Sequence, residues 1–496
     1  MSNYTKEEIV KSVPQKGFFG HPKGLFTLFF TEFWERFSYY GMRAILIFYM
    51  YYEVSQGGLG LDKGTAASIM AIYGSLVYMS GIIGGWIADR LLGSTSTVFY
   101  GGILIMFGHI ALSLPGSLTA FFISMVLIVI GTGLLKPNVS NVVGDLYSPE
   151  DTRRDSGFSI FYMGINMGGF LAPLIVGTVG QEYNFHYGFA IAAIGMFFGL
   201  ITFMVSKKNS LGLAGRNVPN PLTKAERSVT IRRFIIGIIV IVILFAVTIP
   251  TGILTINGLT YVVSFLGLSI PTAYFIVMYK SKKTTADERS RILAYIPLFI
   301  AAMVFWALQE QGAIILAQYA DQSTNLDYAG LDIQSSWFQS LNPLFIIFLA
   351  PVFAWMWLRL GKKQPSTPKK FALGIIFAGL SFLLMVIPAV ASGDNLSSPL
   401  WLVFSFLIIV LGELLLSPVG LSATTKLAPA AFASQTMSVW FLTNAGGQAL
   451  NAQIVKLYSA DTEAVYFGVL GAVAVLLGII LMFIAPKIQK LMKGIH

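Results

Sequence analysis

A chain of 496 residues that is 55% hydrophobic and only 11% charged, with a mean hydropathy of +0.72, cannot build a water-facing surface, for which roughly 25% charged residues are usual. It has no cysteine, which excludes disulfides, thiol catalysis and cysteine-held metal centres. Its net charge of +10 is gathered into alternate loops rather than into a compact face with interleaved aromatics, so it argues for anchoring at a membrane surface and against nucleic acid.

The tail 1–23 is polar and carries Lys6, Lys11, Lys16 and Lys23; the apolar run after it is too long and too charged for a cleavable signal. Runs near 24–53, 64–88, 96–114, 118–142, 156–180 and 187–205 are each long enough to cross a hydrocarbon core of roughly 30 Å as a helix. A basic stretch with Lys207, Lys208, Arg216, Lys224, Arg227, Arg232 and Arg233 follows. Then come two runs near 233–250 and 258–279, joined around Pro250 and Asn257, which read as an inserted helical hairpin. A second block of six runs occupies 292–320, 337–359, 370–391, 399–425, 432–457 and 464–486. Lipid leaves exposed backbone polar groups unsatisfied and the chain lacks barrel alternation, so the expectation is an all-α membrane protein.

Basic loops (Lys280, Lys282, Lys283, Arg289 and Arg291; then Arg359, Lys362, Lys363, Lys369 and Lys370) alternate with acidic ones holding Glu53, Glu182, Asp321, Asp394 and Glu463 among others. Fourteen spans return both termini to one side, and the terminal lysines place that side in the cytoplasm. The expected organisation is a tail 1–23, a six-helix bundle 24–206, a linker 207–291 containing the hairpin, a six-helix bundle 292–486 and a tail 487–496.

Ionisable groups inside a span are expensive and mark candidate sites. In the first span Glu32, Glu35, Arg36, Tyr39, Tyr40 and Arg43 fall on one stripe roughly 140° wide at about 100° per residue. One reading is a buried ion pair that locks two helices. The other is a carboxylate whose hold on a proton is set by the balance between desolvation and the Arg36 guanidinium, a basis for proton coupling. Lys136 precedes Pro137 in the fourth span; it either snorkels or lines a cavity where the proline bends the helix. Trp306 and Glu310 in the seventh span of the two bundles and Glu413 in the tenth complete the set. Lys136 follows Glu32 by 104 residues and Glu413 follows Glu310 by 103, the signature of duplicated halves. Arg43 with Glu310 and Lys136 with Glu413 are therefore expected as pairs that form and break between the halves. Tyr39, Tyr40, Tyr78, Trp306 and Trp440 are candidates for side-chain pockets, with packing as the plain alternative. Asn166 and Asn342 are candidate amide binders or interhelical contacts. There is no Walker A pattern, and the four histidines are far apart in sequence, which leaves ATP and a histidine-held metal unsupported.

The string Glu32 to Tyr40, E-x-x-E-R-F-x-Y-Y, resembles the proton-coupled oligopeptide transporter family. The resemblance continues through Gly84 to Gly93, Gly133 to Asn138, Phe158 to Gly168, Phe305 to Gln311 and Gly412 to Gly420. It implies a major facilitator fold, two six-helix bundles plus the inserted two-helix hairpin, working as a monomeric symporter of di- and tripeptides and peptide-like drugs in a bacterial cell membrane. Drug efflux or nitrate transport on the same fold is the alternative. Protons are the implied coupling ion, with no cofactor and lipids as neighbours. By matching positions, Glu32, Glu35 and Arg36, with Glu310, would couple protons; Arg43 and Lys136 would take the peptide carboxylate and Glu413 its amino terminus; Asn166 and Asn342 would hold its backbone. Gln309 departs from the family, whose bacterial members often carry a second glutamate there.

Overall fold

In the computed structural model of the chain, residues 4–115, 118–148, 151–248, 251–252, 255–393 and 395–494 are described; Pro250, Asp394 and His496 lie outside them. Every apolar run becomes a helix, because a helix satisfies its own backbone in lipid. In chain order they are α1 (Gly24–Tyr51), α2 (Lys63–Leu92), α3 (Ser94–Ser113), α4 (Leu118–Asp145), α5 (Arg154–Glu182), α6 (Phe185–Ser210), α7 (Lys224–Thr248), α8 (Ile256–Lys280), α9 (Ala286–Gln322), α10 (Ser335–Leu360), α11 (Thr367–Ala391), α12 (Leu400–Leu427), α13 (Ala433–Ile454) and α14 (Ala460–Leu491). Eleven helices among the described residues are apolar enough to count as spans by composition alone. The other three are α1, with its buried charges, α7, and α13, with its buried amides.

Winding changes within several helices, in α9 beside a site residue. A π turn closes α2 at Ala88–Leu92, another interrupts α5 at Pro173–Gly177, and a 3-10 turn at Gln311–Ala313 breaks α9 directly after Glu310. Pro137 lies inside α4. A short helix, Lys6–Ser12, precedes α1 and is capped by Thr5, whose hydroxyl and backbone N–H exchange hydrogen bonds with Glu8. A two-residue-strand hairpin, Asp327–Tyr328 with Leu331–Asp332, lies between α9 and α10.

The contacts divide the chain into two compact units. One gathers the residues up to Tyr39, Met79–Gly168 and Phe189–Val262; the other gathers Tyr40–Tyr78, Gly169–Gly188 and Val263 onward. The boundary falls within α1, α2, α5, α6 and α8. In the first unit Leu28, Ile105, Leu135, Val139, Val142 and Met196 are among the fully enclosed core residues, and α3 lies along α4. In the second unit α11 packs against α12 and α14, and α9 against α13.

Candidate functional site

In the first unit the α1 stripe is buried. Glu32, Glu35 and Arg36 are each at most 2% exposed, a placement that lipid alone would not tolerate. Arg36 Nη2 donates to Glu35 Oε1 at 2.7 Å, its Nε contacts Glu35 Oε2 as well, and the same Nε lies 3.2 Å from Glu32 Oε1. One guanidinium thus serves two carboxylates, and the centroid of the Tyr39 ring lies 5.0 Å from its central carbon. Glu32 Oε2 is buried with no hydrogen-bond partner among the described residues. Lys136, on α4, lies within electrostatic reach of Glu32. Asn166, on α5, is buried and donates to the Tyr162 carbonyl of its own helix at 3.0 Å.

The second unit begins one residue further along α1, at Tyr40, whose ring lies against Gly169. Arg43 Nη2 donates to Glu310 Oε2, joining α1 to α9. Glu310 is also held from α13: Asn444 Nδ2 donates to its Oε1 at 3.1 Å and Gln448 Nε2 to its Oε2 at 2.8 Å. Glu413, on α12, accepts from Gln309 Nε2 at 2.9 Å and Asn342 Nδ2 at 3.1 Å. Gln309 therefore supplies a neutral donor to Glu413 where a glutamate would supply a second negative charge. Trp306 is half-buried beside Phe305, Tyr78 is half-buried on α2, and Trp440 is enclosed, at 5% exposure, by Phe371 and Gly420. Lys136 belongs to the first unit and Glu413 to the second.

The ends of α1 and α9 in this second unit meet in a further polar cluster. The hydroxyls of Tyr51 and Tyr52 donate to Asp321 at 2.6 and 2.7 Å, and Ser335 Oγ lies 3.3 Å from the same carboxylate. Gln181 of α5 donates to Ser335 Oγ at 2.7 Å and accepts from the Ser336 N–H at 3.0 Å. Asn444, Gln448 and the tyrosine pair were not singled out by sequence reasoning, which named Asp321 only as an acidic-loop charge. A signal for the first two was present: Asn444, Gln448 and Asn451 recur at helical spacing in a span that has no acid or base between them.

Fourteen long helices among the described residues, buried charges on facing helices and a break beside one of those charges, Glu310, define a polytopic membrane transporter. Residues 95–475 match the profile of the POT family. The chain is 64% identical over 495 residues to a Bacillus subtilis protein named uncharacterized transporter YclF, covering all of both chains. It is 49% identical to the di-/tripeptide transporter of Lactococcus lactis subsp. cremoris, over 97% of this chain and 99% of that one. A crystal structure of the peptide transporter POT in complex with sulfate superposes with a TM-score of 0.97 at 64% identity, over 99% of this chain and 100% of that one. The fold is that of the major facilitator transporters, and the chain belongs to the POT family.

Proposed function

We propose that the chain imports di- and tripeptides together with protons by alternating access. It would work as a monomer in the bacterial cell membrane, with both termini in the cytoplasm. The observation that carries the proton part is the shared guanidinium: Arg36 faces two buried carboxylates, and Glu32 keeps one oxygen with no hydrogen-bond partner among the described residues. A proton has a place to sit there, and any movement of Arg36 or Lys136 changes how strongly it is held. Glu310, which pairs with Arg43, would be a further coupling carboxylate. The substrate part rests on matching charge to a zwitterion. Arg43 and Lys136 offer cations for a peptide carboxylate, and Glu413, steadied by Gln309 and Asn342, offers an anion for its ammonium. Asn166 would meet the peptide backbone, and Tyr39, Tyr40, Tyr78, Trp306 and Trp440 would bound side-chain space. The Lactococcus relative carries di-/tripeptide transport in its name, which favours this reading over drug efflux or nitrate.

Dialanine uptake into proteoliposomes tests it, with and without an inward proton gradient, for the native chain and Glu32→Gln. Gradient-driven accumulation is expected in the native chain and is expected to be lost in Glu32→Gln, with dialanine counterflow retained. Peptide movement that ignores the gradient, or undiminished accumulation by the variant, overturns the coupling role; no peptide movement by a folded native chain overturns the substrate class.

A further inference from the structure

The first helix of the inserted hairpin, α7, carries a built surface for which the transport reading has no use. The linker before it is pinned to the end of α2: the Asn220 N–H donates to the Asp89 carbonyl at 3.0 Å and the Leu222 N–H to the Arg90 carbonyl at 3.2 Å. Thr223 caps α7, its N–H donating to Glu226 Oε2 at 2.9 Å while the Glu226 N–H donates to its hydroxyl at 3.2 Å. Phe234 stacks on Trp86 with ring centroids 5.9 Å apart and planes 22° from parallel. These contacts fix which side of α7 faces α2.

On the flank beside that contact, Arg227, Ser228, Ile231, Arg232, Ile235 and Ile236 line a groove of about 600 Å³. All six side chains are exposed. Glu226, the acid beside them in sequence, is engaged by Thr223 and lies 4.0 Å from Arg90. Arg227 and Arg232 have no ion-pair partner among the described residues. From Arg227 to Ile236 the groove runs about 14 Å along the helix axis, whereas the headgroup layer of a bilayer is roughly 5–7 Å thick on each side. A groove of this length that begins among headgroups therefore reaches the acyl layer.

We propose that this groove holds an anionic phospholipid, its phosphate between the Arg227 and Arg232 guanidiniums and an acyl chain along Ile231, Ile235 and Ile236. Two unpaired guanidiniums at the polar end select a net negative headgroup over a zwitterionic one, which brings its own cation. The isoleucine wall selects a lipid over a free anion, which would leave that wall uncovered.

Native mass spectrometry of the purified chain, titrated with phosphatidylglycerol, phosphatidylcholine or inorganic phosphate, tests the assignment. The comparison is with Arg227→Gln/Arg232→Gln and with Lys282→Gln/Lys283→Gln, which removes the same charge from another basic loop. A phosphatidylglycerol adduct is expected on the native chain and the lysine variant. In the arginine variant it should weaken about thirtyfold, on the order of fivefold per arginine. Equal retention by the arginine variant, equal retention of phosphatidylcholine, an equal effect of inorganic phosphate, or a second copy of the chain in place of lipid would each overturn it. Should the double variant not fold, the native chain's preference for phosphatidylglycerol and its weakening in Arg232→Gln alone decide the matter.

Discussion

Gly84 lies where α2 crosses the backbone carbonyl that Pro137 sets free. Proline has no N–H to give to the residue four positions earlier, which is Gly133. A Cβ added to Gly84 would stand 1.8 Å from that same Gly133 oxygen, so only glycine lets the helices approach this closely. Asn138 completes the join, donating to the Gly84 carbonyl at 3.1 Å and the Leu134 carbonyl at 2.7 Å. Two strings fifty residues apart, both part of the family resemblance, are thus a single contact beside Lys136. Gly84→Ala is expected to lower the melting temperature of the purified chain, with a cost of about 1–3 kcal/mol for forcing the helices apart, read by thermal unfolding in detergent. On the other unit, Arg43→Glu and Glu310→Arg are each expected to abolish dialanine uptake. The double exchange should recover part of it, although Asn444 and Gln448 are set to donate to a carboxylate. Singles that retain full uptake, or an exchange with no recovery, count against a working Arg43–Glu310 pair.

At the scale of elements, the polar segment before α1 is fastened rather than trailing. Lys6 pairs with Asp145 at 2.8 Å, and Tyr4 and Asn217 exchange two hydrogen bonds, at 3.0 and 2.7 Å. Arg153 donates to the carbonyls of Gln15 and Gly20 at 3.1 and 3.2 Å. Asp151 aims that guanidinium, and the Arg153 hydrogen bonds hold its carboxyl below the ordinary aspartate value. A carboxylate depressed in the folded state stabilises above its unfolded value and ceases to as pH falls through the folded one, so this clamp holds at neutral pH and fails only in acid below about pH 4. Asp151→Asn should accelerate amide exchange around Gln15–Gly20 severalfold at pH 7 and make no difference at pH well below that threshold, as measured by hydrogen–deuterium exchange. The existence of all fourteen helices was legible, because twenty apolar residues in a row admit little else in lipid. Their internal breaks were not: the turn at Gln311–Ala313 contains no proline, and a single glycine, Gly312, is too common in membrane helices to mark a change of winding.

For the whole molecule, the division of the chain matters more than the count of spans. Residues 40–78 and 169–188, from the first six helices, pack in one unit with the last six. Serine hydroxyls illustrate the join: along α13, Ser75 of α2 donates to the Ala445 carbonyl at 2.9 Å, Ser264 of α8 to Ala449 at 2.7 Å, and Ser68 of α2 to Ala452 at 3.1 Å. The inserted hairpin and α2 thus hold the same helix by alternate turns. None of this was readable from the sequence, since serines in an apolar run carry no sign of which backbone they meet. The α1 stripe was readable, because charge inside a span is rare and helical spacing fixes its face. The amides around Glu310 and Glu413 were only half readable, because neutral polar residues occur in any bundle.

The cluster at Asp321 has a consequence of a different kind. Its carboxylate accepts from three hydroxyls and has no ion-pair partner among the described residues. Short contacts between a charge and hydroxyl dipoles are barely touched by the mobile ions that weaken exposed ion pairs over a Debye length of about 8 Å at physiological ionic strength. A catch made this way closes as well in brine as in fresh water, and the ends of α1 and α9 should stay joined across changes of salt concentration that would loosen a lysine–aspartate latch.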